Sequence, residues 1–386
     1  MLRIYKNAKV ITPDGIRDLC VLTRDGVIES LCMRTDAKAD ETIDCCGMFL
    51  SPGFADIHVH GGGGHTAMGT PEDIRNMCLA HAKHGVTSIV PTVLTAPIAQ
   101  MRKAADNIAA AAECSGELNI LGAHLEGPFL SPKKSGAQSK DSIILPKKEN
   151  LRALLDGAKQ IVMLGMAPEL PGAMEAGEYA SSRGIVVSVA HSDADFETAE
   201  TALDHGFSDV THIFSACSAM HKEGIFRKVG VAEAGLALDG YTTQFIGDLR
   251  HLPVGAIKLI YKAKGAEKAY LISDGLEYSA CDMPEGSVVT QENGQTAVIE
   301  DGVMKLVDRS CIAGSVTTLD RMVGKTVKEC GIPLTDAVRM ASLTPLSVLG
   351  LDNKKGMIRP GYDEDLILFD ENVQIDRVWI RGKEFF

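Results

Sequence analysis

The chain has no stretch approaching the roughly 18 uninterrupted apolar residues of a membrane-spanning helix. Its start, Met1-Leu2-Arg3-Ile4-Tyr5-Lys6, lacks the apolar core of a secretion signal. Positive charge is also scarce: a formal net charge of −12 leaves no broad basic face for nucleic acid or an anionic membrane. No Cys-x-x-Cys pair occurs, and the ten cysteines are scattered through mostly apolar surroundings, as at Cys20, Cys78 and Cys330. That is the pattern of reduced filler in a cytoplasmic protein. The adjacent Cys45-Cys46 makes a poor metal site, because strand neighbours point to opposite faces. What remains is an ordinary globular composition, 45% apolar over 386 residues, sufficient for one large domain and a smaller one. A phosphorylated small molecule is still permitted as a substrate, since its pocket needs only one or two local cations.

Residues 1–52 read as short strands broken by turns such as Pro13-Asp14-Gly15 and Arg24-Asp25-Gly26, with no helical period. Residues 356–386 look the same. Neither end suffices for a stable sheet alone, so the two are expected to combine into one small β-sandwich domain. Residues 53–355 alternate apolar strands with amphipathic helices. The strands are expected at 54–60, 88–93, 119–126, 161–167, 185–191, 209–215, 243–248 and 269–274. Helices are expected from Pro71 to His84 and from Asp195 to His205, the latter opened by a Ser192-Asp193 cap. Eight such units over about 300 residues predict an α/β fold of the (β/α)8 TIM-barrel type, whose chemistry gathers at the C-terminal strand ends.

That expectation can be tested within the sequence. Ile57 and Val59 alternate with His58 and His60, so a strand presents both imidazoles on one face. The third strand ends in His124-Leu125-Glu126, the fifth in His191, the sixth in His212 and the eighth in Asp274. Taken singly, each residue has an ordinary structural explanation: a packed histidine, a helix cap, a carboxylate paired with lysine. Together they place ligand types at five strand ends, as a metal site drawn from several segments requires. Imidazoles with one or two carboxylates suit Zn²⁺, Fe²⁺, Mn²⁺ or Co²⁺. A metal-activated water beside a carboxylate points to hydrolysis of an amide or related C–N bond.

The segments that carry these residues resemble the amidohydrolase superfamily and, within it, the N-acetylglucosamine-6-phosphate deacetylases. They are Ser51-Pro52-Gly53-Phe54-Ala55-Asp56-Ile57-His58-Val59-His60, His124-Leu125-Glu126-Gly127-Pro128-Phe129, Gly136-Ala137-Gln138, Ala190-His191-Ser192-Asp193-Ala194, Thr211-His212, Ser273-Asp274, Ala313-Gly314-Ser315 and Gly356 to Leu366. The resemblance implies one or two divalent metal ions, Zn or Fe first and Mn or Co as alternatives. Glu126, His191 and His212 would hold one, and His58 and His60, with Glu126 and Asp274, a second. It implies Asp274 as general base and acid, and Gln138 against the acetamido end of the sugar. Ser215 and Ala216 fall in the segment that binds the sugar phosphate. Arg227 would replace the usual phosphate-binding arginine from a displaced register, and His251 would help reach the phosphate, in some members across a dimer interface. The implied partners are an amino-sugar phosphate and a second copy of the chain as a homodimer, with no nucleic acid and no membrane.

The departures from the family pattern all fall on the substrate side. Ile213-Phe214-Ser215-Ala216-Cys217 replaces a Leu-Phe-Asn-Ala-Met segment. His221 to Gly230 replaces an Arg-Glu-Pro-Gly turn, and His65 to Gly69 and Leu249-Arg250 also differ. Arg227, Lys228, Arg250 and Lys222 are expected to surround the phosphate in their place. Two other functions are compatible with the sequence: hydrolysis of a different amide, cyclic amide or N-acyl amino acid, and a non-catalytic barrel scaffold. The scaffold reading is opposed by retention of all six ligand positions.

Overall fold

A computed structural model of the chain describes residues 1–114, 116, 118–281, 283–290 and 296–386. Its centre is a ring of parallel strands: β1 (Phe54–Val59), β2 (Val86–Val93), β3 (Ala123–Glu126), β4 (Ile161–Met166), β5 (Val186–Val189), β6 (Phe207–Val210), β7 (Thr242–Ile246) and β8 (Ala269–Ile272). Each pairs in parallel with the next. The seam between β8 and β1 is closed by single bonds. Asp274 N–H donates to His58 O at 2.9 Å and His60 N–H to Gly275 O at 2.8 Å. Ser273 N–H donates to Oδ1 of the buried Asp56 at 3.2 Å. The expected (β/α)8 barrel is therefore present. All of β2, Val-Thr-Ser-Ile-Val-Pro-Thr-Val, is buried, because helices cover a barrel strand outside and interior side chains fill it inside.

The helices start where the sequence provides caps. Pro71–Ala82 opens with Thr70, which accepts from Asp73 N–H while the Asp73 carboxylate accepts from Thr70 N–H; Pro71 takes the first turn, where no N–H is needed. Phe196–Asp204 is capped by Asp195, which accepts from Thr198 N–H at 2.9 Å. Ser192-Asp193, expected as that cap, instead binds Glu169: Ser192 Oγ donates to Oε2 at 2.7 Å and Asp193 N–H to Oε1 at 2.6 Å.

Both chain ends enter one eight-stranded mixed sheet, and they meet where Phe49–Pro52 runs antiparallel to Leu366–Phe369. Tyr5, Val10, Val21, Ile28, Leu50, Leu366 and Trp379 form its core, with the Tyr5 ring edge-on to Trp379 at 4.9 Å. Arg3 is buried against this core, its Nη1 2.6 Å from Glu364 Oε1, which also accepts from Tyr5 OH at 2.8 Å. Glu364→Ala leaves that guanidinium with the half-exposed Glu41 carboxylate and the neutral Gly382 O. The expected cost is about 3 kcal/mol, read as a lower urea midpoint for unfolding.

One element has no counterpart in the sequence-based expectations. Val288–Thr290, Thr296–Glu300, Val303–Leu306 and Ile312–Ser315 form a four-stranded sheet between β8 and the last helices. Its final strand is tied to the end of β8 through Ser315 N–H to Asp274 O at 3.1 Å and Leu276 N–H to Ser315 O at 3.0 Å. The ten cysteines are free, and Cys45 is buried while Cys46 is exposed. No helix among the described residues is long and apolar enough to cross a membrane.

Candidate metal centre and active site

The C-terminal ends of the strands deliver the six ligand-type residues to one point. β1 carries His58, and His60 follows its last residue, while Ile57 and Val59 pack into the barrel core. β3 ends in Glu126. The next residue, Gly127, has φ +97°, and a Cβ there would lie 2.1 Å from Thr95 Oγ1. That hydroxyl donates to Glu126 O at 2.7 Å, so only glycine lets Thr95 hold the backbone of Glu126. His191, His212 and Asp274 lie two residues beyond β5, β6 and β8, at φ +45°, +23° and +46°. Strands were expected to run through these residues. Instead the chain turns into the left-handed region at each, at a cost of order 1–3 kcal/mol per residue, and the turn swings the side chain to the barrel axis. The strand expected over 119–126 is likewise broken at Gly122, φ +141°, where a Cβ would meet Gln160 O at 2.4 Å.

Glu126 is the hub. Its Oε1 lies 2.9 Å from His212 Nε2, 3.2 Å from His191 Nε2 and 3.5 Å from His58 Nε2. Its Oε2 lies 3.3 Å from His60 Nε2, which is 3.2 Å from Asp274 Oδ1. Among the described residues, two groups have ligand atoms close enough to hold a metal ion: His58, His60 and Glu126, and Glu126, His191 and His212. The outer nitrogens decide which face is free. Nδ1 lies 2.9 Å from Gln244 Oε1 at His58, 3.0 Å from Thr92 O at His60, 2.8 Å from Lys134 O at His191 and 3.2 Å from Ser215 O at His212. Carbonyl oxygens only accept, so each Nδ1 donates and each neutral ring turns an Nε2 lone pair inward. His58 Nε2 and His60 Nε2 are 3.3 Å apart with no donor between them. Lone pairs facing one another beside carboxylates call for a cation, and an imidazole and carboxylate donor set fits a divalent metal.

Charge in the site follows the same layout. Burial alone would raise the Glu126 carboxyl, but the imidazoles of His58, His191 and His212 beside it hold it well below the usual carboxylate range. Burial works against a cation at His60, yet Asp274 and Glu126 outweigh it and lift the imidazole to about 10 in the protein without metal, where a proton on Nε2 takes the place of the cation the neutral rings call for. His124, on the same face of β3 as Glu126, lies outside both metal groups: it stands edge-on to His58 at 4.7 Å and burial drives its pKa well below the usual range.

A cavity of about 960 Å³ opens above this centre. Gln138, Ser215, Ala216 and His251 line it together with His60, Glu126, His191, His212 and Asp274. The Gln138 amide donates to Glu126 Oε2 at 2.5 Å, and its oxygen accepts from Thr95 N–H at 2.9 Å. His251 Nδ1 lies 2.7 Å from Oδ2 of the buried Asp248. Burial opposes a charge on this ring, but Asp248 outweighs it and raises the pKa. Arg227 departs from the expected set. It sits with Lys222 and Lys228 on a two-stranded hairpin, His221–Glu223 with Phe226–Lys228, all six residues of which are exposed. None of these cations, nor the exposed Arg250, is in the lining of the cavity of their own chain. Its cationic lining comes from Lys103, Lys133 and Lys134 instead. Lys133-Lys134 could have been found, since it lies between the His124-to-Phe129 segment and Gly136-Ala137-Gln138, two segments that carry the family resemblance.

Comparison with known proteins agrees with this geometry. Residues 49–385 match the model of the amidohydrolase family. An N-acetylglucosamine-6-phosphate deacetylase of Lysinibacillus sphaericus is 31% identical over 98% of this chain and 97% of its own length. An N-acetylgalactosamine-6-phosphate deacetylase of Escherichia coli O157:H7 is 27% identical over 99% of both. The crystal structure of N-acetylglucosamine-6-phosphate deacetylase from Pasteurella multocida superposes with a TM-score of 0.93 at 26% identity, covering 100% of this chain and 99% of that one. The chain belongs to the amidohydrolase family, as a hydrolase similar along nearly its whole length to deacetylases of N-acetylated amino-sugar 6-phosphates.

Proposed function

We propose that this hydrolase removes acetate from N-acetylglucosamine 6-phosphate, or a closely related N-acetylhexosamine 6-phosphate, leaving the free amine. The observation that carries this reading is Glu126, shared by two histidine pairs at the floor of a cavity that also holds Asp274, His251 and Lys134. Glu126, His191 and His212 would hold one divalent ion, and His58 and His60, with Glu126 and Asp274, a second; Zn²⁺ or Fe²⁺ is favoured over Mn²⁺ or Co²⁺. Such an ion supplies a water of lowered pKa and polarises the acetamido carbonyl.

The chain's own groups do the rest. Burial would raise the Asp274 carboxyl, but the hydrogen bond from His60 and the surrounding imidazoles bring it down to about 2, so it is ionised at neutral pH. It takes the proton of the attacking water and returns it to the departing amine nitrogen. The Gln138 amide orients the acetamido group beside Glu126. His251, whose protonated form Asp248 favours, and Lys134 face the phosphate with charge-assisted hydrogen bonds. His251→Gln is expected to raise KM roughly 10- to 100-fold with kcat within a few-fold, since a hydrogen bond to a charged group is worth about 1.5–3 kcal/mol. Steady-state kinetics on the 6-phosphate and on the unphosphorylated sugar measure this, and the effect should vanish on the latter.

The reading includes a homodimer. The hairpin tip leaves Ile225 84% and Phe226 70% exposed, an apolar surface suited to a second copy. Light scattering should give twice the 41.2 kDa chain mass, and Phe226→Ser should shift it towards the monomer. The substrate assignment is tested by kcat/KM over a panel of N-acetylhexosamine 6-phosphates, cyclic amides and N-acyl amino acids. Highest turnover on an amino-sugar 6-phosphate supports it. Turnover confined to another amide would replace the substrate while keeping the metal chemistry.

A further inference from the structure

Three of the four inward-facing histidines hand their outer nitrogen to a backbone carbonyl, which cannot reverse its polarity. His58 alone hands it to a side-chain amide, Gln244 Oε1, at 2.9 Å. An amide can turn over. Flipped, it would offer NH2 to Nδ1 and force the His58 proton onto Nε2, pointing a hydrogen at Glu126 and His60 where a metal should bind. The orientation of Gln244 therefore decides whether His58 is a ligand.

A buried carboxylate decides that orientation. Asp209, on β6 and fully buried, takes two donors on each oxygen from three different strands. Ser188 Oγ and Gln244 Nε2 reach Oδ2 at 2.7 and 2.8 Å. Thr242 Oγ1 and Tyr270 OH reach Oδ1 at 2.7 and 2.9 Å. The two hydroxyls, the phenol and the amide all point donors at one carboxylate, an arrangement that only an acceptor satisfies. Gln244 must then present its nitrogen to Asp209 and its oxygen to His58. Asp209 does not touch the cavity and lines no substrate surface.

We propose that Asp209 and Gln244 form a positioning relay that locks His58 in the Nδ1–H tautomer, and so set whether the His58–His60 site takes up a second metal ion. This rests on the metal-dependent reading above. It assigns a separate control to each site: the Glu126–His191–His212 group is oriented by Lys134 O and Ser215 O, independently of the relay. The relay acts through an oriented ligand, the kind of outer partner whose loss weakens metal binding 10- to 100-fold.

The test is competition titration of chelator-stripped protein with Zn²⁺, giving stoichiometry and two dissociation constants. Wild-type protein should bind two equivalents. Gln244→Met, close in volume and without an acceptor, should weaken only the second equivalent, by roughly 10- to 100-fold, and leave the first within a few-fold. Gln244→Glu, its carboxyl sharing a proton with Asp209 Oδ2, keeps an acceptor against His58 Nδ1 and should restore the second equivalent. ¹⁵N NMR of the metal-free wild-type protein should show His58 protonated at Nδ1, a readout that needs no variant to fold. An Nε2–H tautomer, a single equivalent in the wild type, or an unchanged second constant in Gln244→Met would each overturn the relay. No stoichiometric metal in the wild type would overturn the metal-dependent reading as well, and so separates the two failures.

Discussion

Asp274→Asn should lower kcat by about 10²- to 10⁴-fold while KM stays within a few-fold, the range for loss of a positioned proton-transfer group. Asparagine is chosen because residue 274 sits at φ +46°, and Asn, like Asp, tolerates the left-handed region better than other side chains with a Cβ. The amide keeps an oxygen near His60 Nε2, which lies 3.2 Å from Asp274 Oδ1, but it cannot take a proton from water. Because the folded carboxyl titrates at about 2, Asp274 is ionised throughout the neutral range. An acid limb seen above about pH 4 in the wild type should therefore belong to another group. Rapid-quench kinetics with a substrate bearing a better amine leaving group gives a second check, since such a substrate needs less protonation and should recover part of the loss.

Glu126→Gln should remove stoichiometric metal from both sites and lower kcat/KM by about 10³-fold or more, because losing about 4 kcal/mol of metal-supplied stabilisation corresponds to that factor. The carboxylate is common to both ligand groups, so no single histidine substitution should have the same reach. The protein should remain folded. The Gln amide fills the same space and offers donors to His191 Nε2 and His212 Nε2, which lie 3.2 and 2.9 Å from Glu126 Oε1. Metal analysis and thermal unfolding in chelator measure the two halves of this prediction, with metal content falling well below one per chain and a cooperative unfolding transition retained.

The barrel was legible because its strands are short, apolar and regularly interrupted, and because a barrel concentrates chemistry at one set of strand ends. His58, His60, Glu126, His191, His212 and Asp274 could be gathered from that rule alone. Where the strands stop was less legible. Alternation carries a strand through His191, His212 and Asp274, but these residues adopt positive φ, a strain that local propensity argues against and that the converging site imposes. Gly122 hid a break for a related reason: its close approach to Gln160 O is a tertiary fact. The relay was invisible because Asp209 and Gln244 each look like an ordinary polar residue in a strand, and only closure of the barrel brings them together. Arg227 shows a different limit. Chemistry and sequence neighbourhood placed it at the phosphate, while it stands exposed on a hairpin outside the cavity lining of its own chain.

The proposed reaction is removal of acetate from an amino-sugar 6-phosphate, with Glu126 and its histidines holding the divalent ion that would activate the water. It is tested most directly by measuring acetate released from N-acetylglucosamine 6-phosphate by chelator-stripped protein as Zn²⁺ is added back. The rate should rise from background to a plateau within two equivalents of metal, with one acetate formed per free amine. Background rates at every metal ratio, across Zn²⁺, Fe²⁺, Mn²⁺ and Co²⁺ and with folded protein, would contradict it.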